Sequence, residues 1–150
     1  MNEMAERWLA FAREDLQVAE AVMDEEIYNQ VCFHSQQSVK KALKGALVSR
    51  DVKPPRTHSI TDLLSLFPAD WPADLRDELV GLDDFYIPTR YPDALPGSLP
   101  YGLPGVDEAR ESLALAQALL QQVEKLIASE FEQEQADAGG DGANLEGDAS

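Results

Sequence analysis

Residues Glu26 to Ser49 read EIYNQVCFHSQQSVKKALKGALVS, and this stretch decides the fold. Its apolar residues, Tyr28, Val31, Cys32, Val39, Ala42, Leu43 and Ala46, recur at three- and four-residue steps, the spacing of one face of an α-helix. No proline interrupts it, and Pro54-Pro55 ends any helix near Arg50 to Val52. At 100° per residue, His34, Gln37, Lys41 and Lys44 fall within an arc of about 80°, roughly opposite the apolar stripe. An imidazole, an amide and two ammonium groups on one face can hold a phosphate or a nucleotide; equally, a run of charge on a helix is often only a solvated face. Phe33, Lys40, Leu43 and Leu47 form a second strip beside the first. A helix apolar on more than one side has neighbours on both, which predicts a homodimer.

The same periodicity extends in both directions. Before this helix, Trp8, Phe11, Ala12, Leu16, Ala19, Val22 and Met23 predict an amphipathic helix over about Met4 to Met23, and Asp24-Glu25-Glu26 marks the break. After it, Ile60, Leu63, Leu64 and Phe67 predict a shorter helix over about Ser59 to Phe67, with Thr57 or Ser59 as its cap. Leu75, Leu79, Val80 and Leu82 predict another from about Pro72 to Phe85. Residues 87–105 hold five prolines and three glycines, too many for a regular element, and a long irregular segment in a compact domain is often functional. A last helix over about Asp107 to Phe131 carries Leu113, Ala116, Leu119, Leu120, Val123 and Ile127. From Gln133 onward, Gly, Ala and acidic residues predict disorder. The expected architecture is an all-α bundle of about five helices, three of them long, with a domain over 1–132 and an acidic tail over 133–150.

Charge is unevenly distributed. The 150 residues carry a net charge of −16, which opposes general attraction to nucleic acid or anionic membrane. Yet Lys40, Lys41, Lys44, Arg50, Lys53 and Arg56, half of the 12 Lys and Arg, lie between Asn29 and Thr61, with Asp51 the one acid there. A local anion site is therefore compatible with a globally acidic chain. Cys32 is the single cysteine, so no intrachain disulfide can form; with a polar, acidic N-terminus, this predicts a cytoplasmic protein. No stretch approaches the roughly 20 apolar residues that span a bilayer.

Two further segments carry chemistry. In Thr57-His58-Ser59-Ile60, His58 stands at a helix start, where it serves as a local cap or packing residue or faces a ligand. In Tyr86-Ile87-Pro88-Thr89-Arg90-Tyr91-Pro92-Asp93, Arg90 is flanked by Tyr86 and Tyr91 and stiffened by prolines. Arginine grips phosphate or carboxylate in two-point fashion and tyrosine rings stack on bases, while the structural alternative pairs Arg90 with Asp93 or another carboxylate. The two histidines and one cysteine have no recognised zinc-site spacing, and there is no glycine-rich phosphate loop, no G-x-S-x-G and no paired-glycine dinucleotide fingerprint. No metal or cofactor is expected.

Taken in order, these segments resemble the HEPN domain: Trp8 with Asp15-Leu16, then Cys32-Phe33-His34-Ser35-Gln36-Gln37 with Lys40-Lys41-Ala42-Leu43-Lys44, then Thr57-His58-Ser59-Ile60, then Tyr86 through Asp93. The resemblance covers about residues 4–128. It implies a helical bundle that commonly dimerises, is associated with a minimal nucleotidyltransferase, sometimes as toxin with antitoxin, and binds nucleotides in some members. A large branch are metal-independent RNases that use an arginine followed, after four to six residues, by a histidine. Here no histidine follows Arg90, and Arg50 and His58 are separated by seven residues. The resemblance therefore implies a binding module with Arg90 as its central ligand contact, Tyr86 and Tyr91 framing it, and His34, Gln37, Lys41, Lys44 and His58 around it. The alternatives are an RNase toxin with a non-standard set around Arg90 and a structural helical adaptor.

Overall fold

In a computed structural model, residues 3–85 and 104–149 are described. Five α-helices follow in order: α1 (Glu3–Asp24), α2 (Tyr28–Ser49), α3 (Ile60–Leu64), α4 (Arg76–Val80) and α5 (Val106–Ala149). A 3-10 turn, η1 (Gly81–Phe85), continues α4, and no strand occurs among the described residues. No helix among them is long and apolar enough to cross a membrane.

α1 and α2 form a hairpin whose turn is set by one backbone conformation. Glu26 adopts φ 60°, its N–H reaches Met23 O at 3.1 Å, and the Ile27 N–H reaches Val22 O at 3.0 Å. This pair of bonds satisfies the last carbonyls of α1. The same device ends α2, where Asp51 has φ 60° and the Asp51 and Val52 N–H groups bond Val48 O and Leu47 O, both at 3.0 Å.

α2 is the central helix. Twelve of its 22 residues are buried. One side meets α1 along a seam of small residues: Ala5, Ala12 and Ala19 from α1, and Ser38, Ala42 and Gly45 from α2, all buried. Ser38 Oγ donates to Ala12 O at 2.8 Å across the seam. A Cβ at Gly45 would stand 3.1 Å from Trp8 Cβ and 3.4 Å from Ala5 O, so glycine lets the helices approach closely where any side chain would push α1 away by a few tenths of an ångström. α5 covers the next side with Leu115, Ala116, Leu119, Val123 and Ile127. α3 and η1 cover the rest, supplying Ile60, Leu63, Leu64 and Leu82.

Several expectations need correction. The strip of Lys40, Leu43 and Leu47 is not left for a second copy: all three are buried by the chain's own elements. α2 starts at Tyr28 rather than Glu26, because Ile27 is taken up by the turn. The helix expected over Ser59 to Phe67 is Ile60–Leu64, capped by Ser59, whose Oγ accepts from Asp62 N. The helix expected from Pro72 is confined to Arg76–Val80 and η1, since Asp74 at φ 62° bends the chain first. The last helix does not stop near Phe131. It runs to Ala149, through a stretch that no proline interrupts, although Gly139, Gly140, Gly142 and Gly147 lie in it. Among the residues whose side chains are described, Ile127 is the last buried one, and Phe131, Glu132, Gln133, Gln135, Ala136 and Asp137 are exposed.

Polar contacts lock the short elements. Asp83 on η1 accepts from Ile60 N at 2.7 Å, Thr61 N at 3.2 Å, Ser59 Oγ at 3.2 Å and Thr61 Oγ1 at 3.0 Å, fastening η1 to the start of α3. Arg76 donates to Pro68 O at 2.9 Å and Trp71 O at 2.6 Å, and also to Leu64 O.

Candidate functional site

α1 presents one carboxylate to α2 from its packed side. Asp15 lies between Ala12 and Ala19 on the buried face and is itself buried. Its Oδ1 meets His34 Nδ1 at 3.0 Å and its Oδ2 accepts from Lys41 Nζ at 2.5 Å. Burial pushes the Asp15 carboxyl up, but the hydrogen bonds from His34 and Lys41 and their charges outweigh it, and the group sits below the usual carboxylate range. An ionised Asp15 holds the proton on His34 Nδ1. Nε2, across the ring, is then an acceptor when the imidazole is neutral and a donor when it is charged. The ring packs edge-on against Phe33, with centroids 5.3 Å apart.

Lys44 stands one turn beyond Lys41. Its ammonium lies 5.4 Å from the centroid of the Trp8 ring. Partial burial, then repulsion from Lys41, lowers its pKa. The cluster thus sets two ammonium groups and an imidazole against one carboxylate, an excess of positive charge on a strongly acidic chain. This edge of α2 is half-buried against α1 and not a solvated face.

A second cluster lies on the α3 side of α2. Lys40, 4% exposed, brings Nζ to 3.2 Å from His58 Nδ1, so that the ammonium donates to the ring nitrogen. Gln36 Nε2 donates to His58 O at 3.3 Å, and Gln37 Nε2 donates to Gln36 Oε1 at 3.1 Å. Gln37 and His58 therefore belong together, while His34, Lys41 and Lys44 group around Asp15 and Trp8. Tyr86, Arg90 and Tyr91 lie outside the described residues.

Three participants escaped the sequence-based list of site residues. Asp15 carried a signal: it is an acid placed on the apolar face of α1, four residues from Ala19 and three from Ala12. Lys40 carried the same kind of signal, a cation among Leu43 and Leu47. Gln36 had none, since its role is a bond to the backbone 22 residues away.

Elsewhere among the described residues, Cys32 is enclosed by α5, with Ser112 Oγ 3.6 Å from its sulfur. Burial pushes its thiol up to about 11, with Glu108 adding to the rise and Ser112 opposing it, so the thiol is inert at neutral pH.

The bundle, with its carboxylate–imidazole–ammonium cluster between the first two helices, defines a helical domain built to carry polar chemistry on its core helix. The chain belongs to the HEPN domain family, whose model matches residues 5–126. Two solved structures are similar. The crystal structure of TT1696 from Thermus thermophilus is 40% identical, with a TM-score of 0.73, covering 84% of this chain and 99% of that one. That of ST0689, an archaeal HEPN homologue, is 34% identical, with a TM-score of 0.66, covering 85% of this chain and 99% of that one. No curated protein matches the chain.

Proposed function

We propose that this protein is a cytoplasmic nucleotide- or nucleic-acid-binding HEPN module that dimerises and works with a minimal nucleotidyltransferase partner. The observation that carries the reading is the cationic surplus beside Asp15. Lys41 uses one bond on the carboxylate and Lys44 contacts the Trp8 ring, so both retain donors for a phosphate oxygen, and His34 Nε2 adds a third polar contact. A phosphate there offsets both the desolvation of Lys44 and its repulsion from Lys41. Arg90, framed by Tyr86 and Tyr91, contributes the base- and phosphate-gripping groups from the proline-rich segment, and Gln37 and His58 belong to the Lys40 cluster nearer α3.

Calorimetric titration with nucleoside mono-, di- and triphosphates and a short single-stranded RNA tests this directly. A Lys41→Ala, Lys44→Ala double variant is expected to weaken the best ligand at least about tenfold, the scale of one lost charge-assisted bond. Equal affinity of the double variant and the parent removes this cluster from the ligand site. Co-purification with a minimal nucleotidyltransferase tests the partner separately.

A further inference from the structure

The cluster around Asp15 offers a ligand two different kinds of contact. Lys41 and Lys44 can only donate, and so suit the acceptor oxygens of a phosphate. His34 is opposite in character. Its Nδ1 carries the proton that Asp15 Oδ1 accepts at 3.0 Å, which leaves the lone pair of the neutral ring on Nε2. Nε2 then takes a hydrogen bond from a donor and repels a phosphate oxygen, which brings only lone pairs. Asp15 holds this arrangement in place: it is buried and ionised, Lys41 occupies its second oxygen, and it has no proton to return to Nδ1. Among the described residues nothing bonds Nε2, and the His34 side chain keeps 25% of its surface open.

The spacing of the three groups limits what they can hold together. His34, Lys41 and Lys44 follow one another along one edge of α2, the first two about two turns apart and the last two about one. His34 and Lys41 lean toward each other onto the two oxygens of one carboxylate. Nε2 and Lys41 Nζ are therefore at most about 10 Å apart, so one small ligand can touch both. Such a ligand carries a phosphate and, close to it, a hydrogen-bond donor. In a nucleotide the donors nearest the phosphate are the ribose hydroxyls. The exocyclic amines of the bases stand farther away and differ from base to base.

We propose that this site selects a nucleotide by its sugar, with the phosphate on Lys41 and Lys44, a ribose hydroxyl donating to His34 Nε2, and Asp15 as the positioning residue that keeps Nε2 an acceptor. This rests on the nucleotide-binding reading above and names what the third contact recognises.

Calorimetry at about pH 8.5, above the range in which imidazoles usually charge, is run first with the four ribonucleoside monophosphates. The best of them is then compared with its 2′-deoxy and 3′-deoxy analogues and with the two analogues that carry fluorine in place of one hydroxyl. Fluorine fills the space of the hydroxyl and cannot donate. One deoxy analogue is expected to bind about five- to tenfold more weakly, the scale of one neutral hydrogen bond, and fluorine at that carbon is expected to restore none of the loss. Full affinity in both deoxy analogues, or in the fluorine analogue of the sensitive position, overturns the contact to Nε2. Nitrogen-15 spectra of the imidazole rings, assigned with His34→Gln, read the tautomer without ligand. They are expected to show His34 protonated on Nδ1 and bare on Nε2, and a proton on Nε2 alone overturns the proposal. In Asp15→Asn, with circular dichroism as the check of folding, the preference for hydroxyl over fluorine is expected to shrink to within about twofold. A preference kept in full removes Asp15 as the positioning residue. Failure of the wider reading looks different. If no monophosphate binds, this proposal is overturned, and the nucleotide-binding reading falls with it only when diphosphates, triphosphates and the short RNA fail as well.

Discussion

Lys41 on α2 reaches Asp15 on α1 at 2.5 Å, across 26 positions of sequence, and this contact ties the hairpin at mid-length. Asp15→Asn keeps the shape but removes the charge that His34 and Lys41 share. Breaking a pair this buried costs several kcal/mol when fully enclosed, and the partial exposure of Lys41 reduces that to about 2 kcal/mol, a fall in melting temperature of about 6 °C at pH 7. The pH dependence has a definite sign. A carboxyl held below its ordinary value of 3.8 stabilises the fold fully above that value, and the contribution disappears as pH falls through the lower folded value. Thermal melts of parent and variant should differ at pH 7 and converge in strong acid. Parallel curves across that range would show that the carboxylate charge is not the stabilising feature.

Arg90→Ala separates a ligand contact from a structural salt bridge. The expected result is an unchanged melting temperature with nucleotide and RNA binding abolished in calorimetry. An unfolded variant, or one that binds as the parent does, removes Arg90 from the site.

Gly45→Val tests the seam between α1 and α2. The new Cβ would crowd Trp8 Cβ at 3.1 Å, and valine adds two methyl groups where the backbones leave no space. Overpacking of this kind costs about 2 kcal/mol, and the gain in helix propensity over glycine is smaller. Chemical denaturation should show the midpoint falling with the slope unchanged; a midpoint at or above that of the parent would mean that the helices separate freely.

Deleting residues 134–150 should leave the melting temperature within about 1 °C of the parent. Among the residues whose side chains are described, Ile127 is the last buried one, and Arg50 bonds Glu130 at 2.7 Å, inside the retained part. A large fall in a thermal melt would show that the acidic extension docks on the bundle.

The helices were legible where burial is periodic. Ala12, Leu16 and Ala19 announce one face of α1 by spacing, whereas Phe11, read onto the same face, is exposed and Leu9 takes the buried place; Leu119, Val123 and Ile127 announce the face of α5. Periodicity says that a strip will be covered but not by what, which is why Leu43 and Leu47 suggested a second copy when α3 and η1 are the cover. Asp74 takes a left-handed conformation inside a stretch whose apolar spacing reads as helix, so the start of α4 was misplaced. Gly139, Gly140 and Gly142 look like a stop, yet α5 continues through them to Ala149. The family was readable because its motifs are short and ordered; the tie of Asp15 to His34 and Lys41 was not, because it joins residues 19 and 26 positions apart.

Because α1, α5 and α3 with η1 cover α2 on three sides, the amide protons of its buried middle are expected to meet solvent mainly when the bundle opens. Hydrogen exchange along Val39 to Leu47 should then report the global unfolding free energy, while the ends of α5 exchange fast. Lys41 and Lys44 stand on this same helix, each anchored by a contact to α1. Their spacing is set before any anion arrives, and binding there should order little backbone and carry a small entropic cost.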